Sequence, residues 1–176
     1  MADTFPGHPK VLISSDQISG RVKELGRQIT QDYSGKPLVM IGVLTGAIIF
    51  LSDLIRQIDL PIVVDLMRAA SYTKGTESSG PVRLLKDIET DIEGKDVLIV
   101  EDIVDSGKTL LYLLETLALR RPASLRVCAL LSKPARREVT VEVTYSGFEI
   151  PDVFVVGYGL DLDGRYRHLP YIGVLR

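Results

Sequence analysis

The sequence predicts a mainly parallel α/β sheet flanked by helices, and three observations carry that expectation. "LVMIGVL" (38–44) is a continuous apolar run, as in a strand covered on both faces, and "DVLIVED" (96–102), with four apolar residues running into Glu101 and Asp102, reads as a second buried strand. Such runs alternate along the chain with segments whose apolar residues recur at helical spacing. The polar clusters that carry chemistry fall where the apolar runs end, and in sheets of this kind ligands bind beyond the carboxyl ends of the strands.

The elements follow in order. Ile18, Val22, Leu25 and Ile29 recur at helical spacing after "SSD", a helix-start signal, and Gly35 marks the stop. After the first strand, "AIIFLSDLIRQI" (47–58) reads as a helix and "IVVDLMRAAS" (62–71) as a strand. "TKGTESSG" (73–80) is polar and rich in Gly and Ser, which predicts a mobile loop, and "VRLLKD" after it is a short strand. Beyond the second buried strand, "GKTLLYLLETLALR" (107–120) is a helix. "SLRVCALLSK" (124–133), "VFVVGYG" (153–159) and "YIGVL" (171–175) are further strands.

The bulk composition sets limits. The 176 residues suit one domain with a real core, and no repeat, low-complexity tract or linker divides them. A net charge of -2 argues against a general nucleic-acid binder. The lone cysteine, Cys128, lies in an apolar run, so it reads as a structural thiol and the setting as reduced and cytoplasmic. "MADTFPGHPK" has no apolar targeting core. The most apolar stretch, 38–55, is interrupted by Thr45 and Gly46 and meets Asp53, short of the ~20 apolar residues a membrane span needs.

The most informative segment is "VLIVEDIVDSGKTL" (97–110). Its Gly-Lys-Thr end resembles a triphosphate loop, but that motif places its first glycine five residues before Gly107, and the residue there is Asp102. A carboxylate at that point, with Glu101 beside it, excludes the tight backbone nest that wraps a triphosphate. A single phosphate is another matter. Asp105, Ser106, Gly107, Lys108 and Thr109 open a helix, where free N–H groups and the helix dipole favour an anion and two hydroxyls assist. The two acids upstream suit sugar hydroxyls or Mg²⁺. Together they describe a sugar-phosphate site.

This segment resembles the phosphoribosyl-pyrophosphate motif of the type I phosphoribosyltransferases. "GVLTGA" (42–47), "SYTKGTESSG" (71–80), "LLSKP" (130–134), "GFEIPDVFVVGYGLD" (147–161) and "GRYRHLPYIGVL" (164–175) narrow the resemblance to the 6-oxopurine members of that family, from about residue 38 to the end. The resemblance implies the type I phosphoribosyltransferase fold: a twisted, mainly parallel sheet with a small hood over the active site. It implies one domain over 1–176, with a core over roughly 35–150 and a hood from the N-terminal and C-terminal segments. The reaction it implies is transfer of phosphoribose from phosphoribosyl pyrophosphate to N9 of hypoxanthine or guanine, with Mg²⁺, giving a nucleoside monophosphate and pyrophosphate. A homodimer or homotetramer is implied as well.

Residue by residue, the resemblance implies that Glu101 and Asp102 contact the ribose hydroxyls and, with Asp161, a metal ion. Asp105 serves as the acid/base group near N7 of the purine; as a helix N-cap it would have an ordinary structural task instead. Ser106, Gly107, Lys108 and Thr109 bind the 5′-phosphate, mostly through backbone. Thr45, Gly46 and Arg167 receive pyrophosphate; the family often carries Lys or Arg where this chain has Thr45. Lys133 donates to O6, Phe154 stacks on the base, Val155 offers backbone groups to its edge, and Asp161 lies nearby. Ser71 and Tyr72 begin a lid that excludes water.

Two rivals compete with this reading. Some regulators of this fold bind RNA or DNA, but they need a basic face or an added domain, and this chain is acidic with about ten residues before its first helix. A pyrimidine or adenine phosphoribosyltransferase would not need Lys133 followed by the Phe154 segment.

Overall fold

The computed structural model describes residues 8–71 and 82–175, with only the backbone of Ser71. Two sheets share the chain. The large one has six strands in the order β4(Val82–Lys86), β3(Ile62–Ser71), β2(Leu38–Val43), β5(Asp96–Val104), β6(Ser124–Ser132), β7(Tyr145–Glu149). All its pairings are parallel except β3 with β4. The small sheet is antiparallel and joins β1(Lys10–Ile13) to β9(Ile172–Val174) and β9 to β8(Val155–Val156).

Strand alternation explains the layering. Leu38, Met40, Leu98, Val100, Cys128 and Leu130 face one side of the large sheet, where they join α1(Ser15–Asp32) and α2(Ile48–Ile55). Val39, Ile41, Val97, Ile99, Val127 and Ala129 face the other side and meet α3(Lys108–Ala118). Both faces are covered, which is why β2 reads as an unbroken apolar run with all six residues buried. Ile13 of β1, Val155 of β8 and Ile172 of β9 enter the first of these clusters, so the small sheet is packed into the same core as α1.

Helix boundaries have local causes. Ser14 caps α1 through a capping box with Gln17, and Ile18, Val22, Leu25 and Ile29 form its buried stripe. Arg21 of α1 donates to the carbonyls of Gly147 (3.1 Å) and Ser146 (2.7 Å), tying the helix to β7. Gly107, at φ 86°, is the N-cap of α3 and supplies no side chain. Cys128 is wholly buried, and burial pushes its thiol far above the ordinary range, as expected of an inert structural residue. Among the described residues no helix is long and apolar enough to cross a membrane.

Three expectations require correction. The second helix covers 48–55 rather than 47–58, because Arg56 and Gln57 turn the chain. The strand expected over 153–159 is only two residues long and belongs to the small sheet rather than the parallel one. Its apolar residues are buried by β9 and the small-sheet core, not by parallel neighbours. Strands β1 and β7 were not anticipated; both are short, and long-range pairing rather than local pattern creates them.

Candidate active site

Four chain segments meet at the carboxyl ends of β2, β5 and β6. The turn after β2 carries Thr45 and Gly46. A Cβ placed on Gly46 would lie 1.6 Å from Oδ2 of Asp102, and one on Gly159 would lie 2.0 Å from the Gly46 carbonyl oxygen. Glycine is therefore required at both positions, and the backbone of 45–46 lies between the acid pair of β5 and the turn after β8.

Glu101 is 7% exposed, and its Oε2 is buried with no hydrogen-bond partner among the described residues. Burial first, and then the neighbouring Asp102 charge, hold its carboxyl well above the usual carboxylate range. Asp102 as a residue is part-buried, but its carboxyl lies inside the protein. Burial pushes it up to about 6, against the lowering effects of the backbone N–H groups and Arg167. Its Oδ1 accepts from the Ile103 N–H at 2.8 Å. These carboxylates lack the compensation that buried charges require, and a divalent cation with oxygen preference, or a diol, would supply it. Among the described residues no group of three or more His, Cys, Asp or Glu side chains is gathered into a metal site.

Asp161 lies in the turn after β8. Its Oδ2 accepts from the Gly164 N–H at 2.7 Å, and its Oδ1 pairs with Arg167 at 2.7 Å. Arg167 also donates to the Gly159 carbonyl at 2.5 Å. The charged turn is thus folded on itself, with Arg167 close enough to act electrostatically on Asp102.

The start of α3 is clamped from one side. The Ser106 carbonyl accepts from Glu138 N–H (3.0 Å) and Val139 N–H (3.3 Å). Lys108 pairs with Glu138, so its ammonium turns toward that loop and the free N–H groups are left to the helix start. The side chains of Arg137, Val139 and Val141 back Gly107 at 3.1 Å from where its Cβ would stand. Thr109 lies in the first turn of the helix. Asp105 does not cap α3, whose N-cap Gly107 makes no side-chain hydrogen bond. Among the described residues the Oδ1 of Asp105 is buried without a hydrogen bond, and Arg136 Nε lies 3.1 Å from it.

Lys133 directly follows β6 and is 5% exposed; its N–H donates to the Val104 carbonyl at 3.0 Å, anchoring it beside β5. Its ammonium lies 3.8 Å from Asp152 Oδ1. Phe154 is 54% exposed, while Val155 beside it is buried in β8. An exposed aromatic face two residues beyond the partner of a buried ammonium suits a flat heterocycle. Ser71 closes β3 opposite Val82 of β4, whereas Tyr72 and the polar stretch 73–80 lie outside the described residues. Arg136, Asp152 and Glu138 emerge only from the structure; nothing in the motif spacing singled them out.

A nearly parallel α/β sheet with a phosphate-type helix start and paired acids at the end of one central strand defines a class, and the chain belongs to it: residues 14–163 match the phosphoribosyl transferase domain family. Its relatives are specific. Hypoxanthine phosphoribosyltransferase of Salmonella typhimurium is 54% identical, over 93% of this chain and 93% of that protein. Hypoxanthine-guanine phosphoribosyltransferase of Mycobacterium avium is 53% identical, over 99% of this chain and 89% of its own. The crystal structure of a hypoxanthine phosphoribosyltransferase from Staphylococcus aureus superposes with a TM-score of 0.91 at 50% identity, covering 95% of this chain and 91% of that one.

Proposed function

We propose that the chain is a purine-salvage enzyme that transfers the 5-phosphoribosyl group from phosphoribosyl pyrophosphate to N9 of hypoxanthine or guanine, releasing pyrophosphate and IMP or GMP. One observation carries the reading: Glu101, whose buried Oε2 has no hydrogen-bond partner among the described residues, and its neighbour Asp102 stand a few residues before the start of α3, whose first-turn N–H groups have no carbonyl partner within the helix. That places diol acceptors and a phosphate cradle a few residues apart, as a ribose 5-phosphate requires.

The individual roles rest on the family resemblance, and the geometry supports them. Ser106, Gly107, Lys108 and Thr109 hold the 5′-phosphate, chiefly by backbone N–H, since the Lys108 ammonium is engaged by Glu138. Glu101 and Asp102 take the ribose hydroxyls. Pyrophosphate rests on the backbone of Thr45 and Gly46 and on Arg167, and backbone donors make the missing cation at Thr45 dispensable. Arg167 is paired with Asp161, so that pair would separate when both are recruited. Lys133 donates to O6, Phe154 covers the base, and the Val155 backbone and Asp161 meet its edge. Asp105 manages the N7 proton with its carboxylate, whose Oδ1 is held against Arg136. The C1′–O bond breaks toward an oxocarbenium-like transition state, so positioning and electrostatics dominate the acceleration.

Glu101 and Asp102 would hold Mg²⁺, with Asp161 joining them only on leaving Arg167, and the ion would neutralise charge on the departing pyrophosphate. The small sheet of β1, β8 and β9 serves as a hood over a core of roughly 35–150 in one domain of 1–176. Ser71 and Tyr72 begin a lid that closes over the substrates. The enzyme works in the cytoplasm as a homodimer or homotetramer, without nucleic-acid or membrane partners.

The test supplies the protein with Mg²⁺, phosphoribosyl pyrophosphate and, separately, hypoxanthine, guanine, xanthine and adenine, and follows nucleotide formation. Hypoxanthine or guanine should be consumed rapidly and adenine hardly at all. Adenine turned over as well as hypoxanthine would refute the assignment.

A further inference from the structure

A chain of alternating charge runs through the site. Asp105 Oδ1 lies 3.1 Å from Arg136 Nε. Arg136 Nη1 lies 3.5 Å from Asp152 Oδ1, and Lys133 Nζ lies 3.8 Å from that same Asp152 oxygen. The backbone explains why one arginine reaches both ends. Pro134–Arg136 is a single 3-10 turn with Lys133 as its N-cap, and the Arg136 N–H donates to the Lys133 carbonyl at 3.1 Å. In that helix type residues three apart are eclipsed, so Lys133 and Arg136 project from one side. Asp152 precedes Phe154 by two residues, with the Val153 N–H returned to the Pro151 carbonyl at 2.8 Å. Holding Asp152 therefore also holds the segment that carries Phe154 and Val155.

We propose that Arg136 is a positioning residue for the transfer reaction: its guanidinium fixes the Asp105 carboxylate with one nitrogen and the Asp152 carboxylate with another, and Asp152 in turn fixes the Lys133 ammonium, so one side chain sets both ends of the purine site. The inference rests on the reading of Asp105 and Lys133 given above. Two details favour it over an ordinary surface pair. The Asp105 Oδ1 is shielded from solvent and lies against Arg136, whereas the side chain as a whole is 42% exposed, so the ion pair holds one oxygen and leaves the rest of the carboxylate open to a substrate proton. The Lys133 ammonium is almost wholly buried, and a buried ammonium needs a fixed counter-charge. Only a planar fork reaches two carboxylates with separate nitrogens; lysine, as a point charge, does not.

The experiment compares Arg136→Met, Arg136→Lys, Asp152→Asn and the Arg136→Met/Asp152→Asn double variant with the wild type. It measures kcat, KM for the purine, KM for phosphoribosyl pyrophosphate, and Tm. Arg136 is half exposed and exposed ion pairs add little stability, so Tm should stay near the wild-type value in Arg136→Met. The variant should lose about tenfold or more in kcat/KM for the purine, as slight misplacement of reacting groups does. The loss should fall on kcat and purine KM, with KM for phosphoribosyl pyrophosphate unchanged. Arg136→Lys should recover only part of it. The double variant should be no worse than its poorer single parent, because the two residues act as one unit. Purine kcat/KM within twofold of wild type in Arg136→Met, full recovery by lysine, or losses that multiply in the double variant would each overturn the proposal. All ratios are taken on whichever purine the wild type turns over, so an error in the purine assigned and a failure of the clamp give different results.

Discussion

Gly46→Ala concentrates the structural argument in one methyl group. The added Cβ would stand 1.6 Å from Asp102 Oδ2 and 2.5 Å from its Cγ, whereas unstrained contacts lie near ~3.5 Å. Something must move by about 2 Å. The Asp102 carboxylate is not free to yield, because its Oδ1 holds the Ile103 N–H at 2.8 Å. The Gly46 backbone cannot back away either, since its carbonyl oxygen already abuts Gly159. Overpacking of this kind costs ~2 kcal/mol, or about 4–8 °C in Tm for a chain of this size. Function should suffer more, because the displaced group is the acid that takes a ribose hydroxyl, and the moved backbone is the pyrophosphate loop. A shift of this size predicts a fall of ~10²-fold or more in kcat/KM. The assay is nucleotide formation from hypoxanthine beside a thermal melt. Gly20→Ala is the control: it lies inside α1, a Cβ there meets nothing within 4 Å, and the change should stabilise by ~0.5–1 kcal/mol without touching activity. If Gly46→Ala matched the wild type in Tm and in kcat/KM, the account of this junction would be wrong.

Other perturbations probe the remaining parts. Asp105→Asn should fold normally and lose ~10²-fold or more in turnover, the usual scale for a lost acid/base group; turnover within twofold of wild type sinks the role. Excess chelator should abolish activity, with recovery by Mg²⁺ or Mn²⁺ better than by Ca²⁺, and full activity in chelator would refute a metal requirement. Lys133→Met should reduce hypoxanthine kcat/KM by the worth of one charged hydrogen bond, ~1.5–3 kcal/mol, and narrow the preference over adenine; an unchanged ratio of the two bases means that Lys133 does not read O6. Ligand-free stability should also depend on pH through Asp102. Its folded value of about 6 lies above the ordinary 3.8, so the folded state binds the proton more tightly, and this contribution is present below pH ~4 and lost as pH rises through 6. Asp102→Asn should flatten that fall in a Tm-versus-pH series, and an identical fall in both proteins would assign it elsewhere.

Some of this protein was legible in its residues because the causes are local. Unbroken apolar runs at 38–43 and 97–100 mean burial on both faces, and burial on both faces of a strand means a parallel sheet with helices above and below. A glycine before a helical apolar stripe announced the start of α3, and the adjacent acids before it announced an unusual electrostatic demand, which the orphaned Glu101 oxygen displays. Cys128 read as structural from its neighbours and is buried. What the sequence could not disclose are approaches between residues far apart in the chain. Gly46 against Asp102 and Gly159, the two-residue strand β8 that exists only through its pairing with β9, and the reach of Arg136 to Asp105 on one side and Asp152 on the other leave no periodic trace. Periodicity records which face of an element is buried. Which residue of another element meets it is decided by the packing of whole layers, and in this protein the packing of β2, β5, β6 and the small sheet decides where acid, ammonium and phosphate cradle come together.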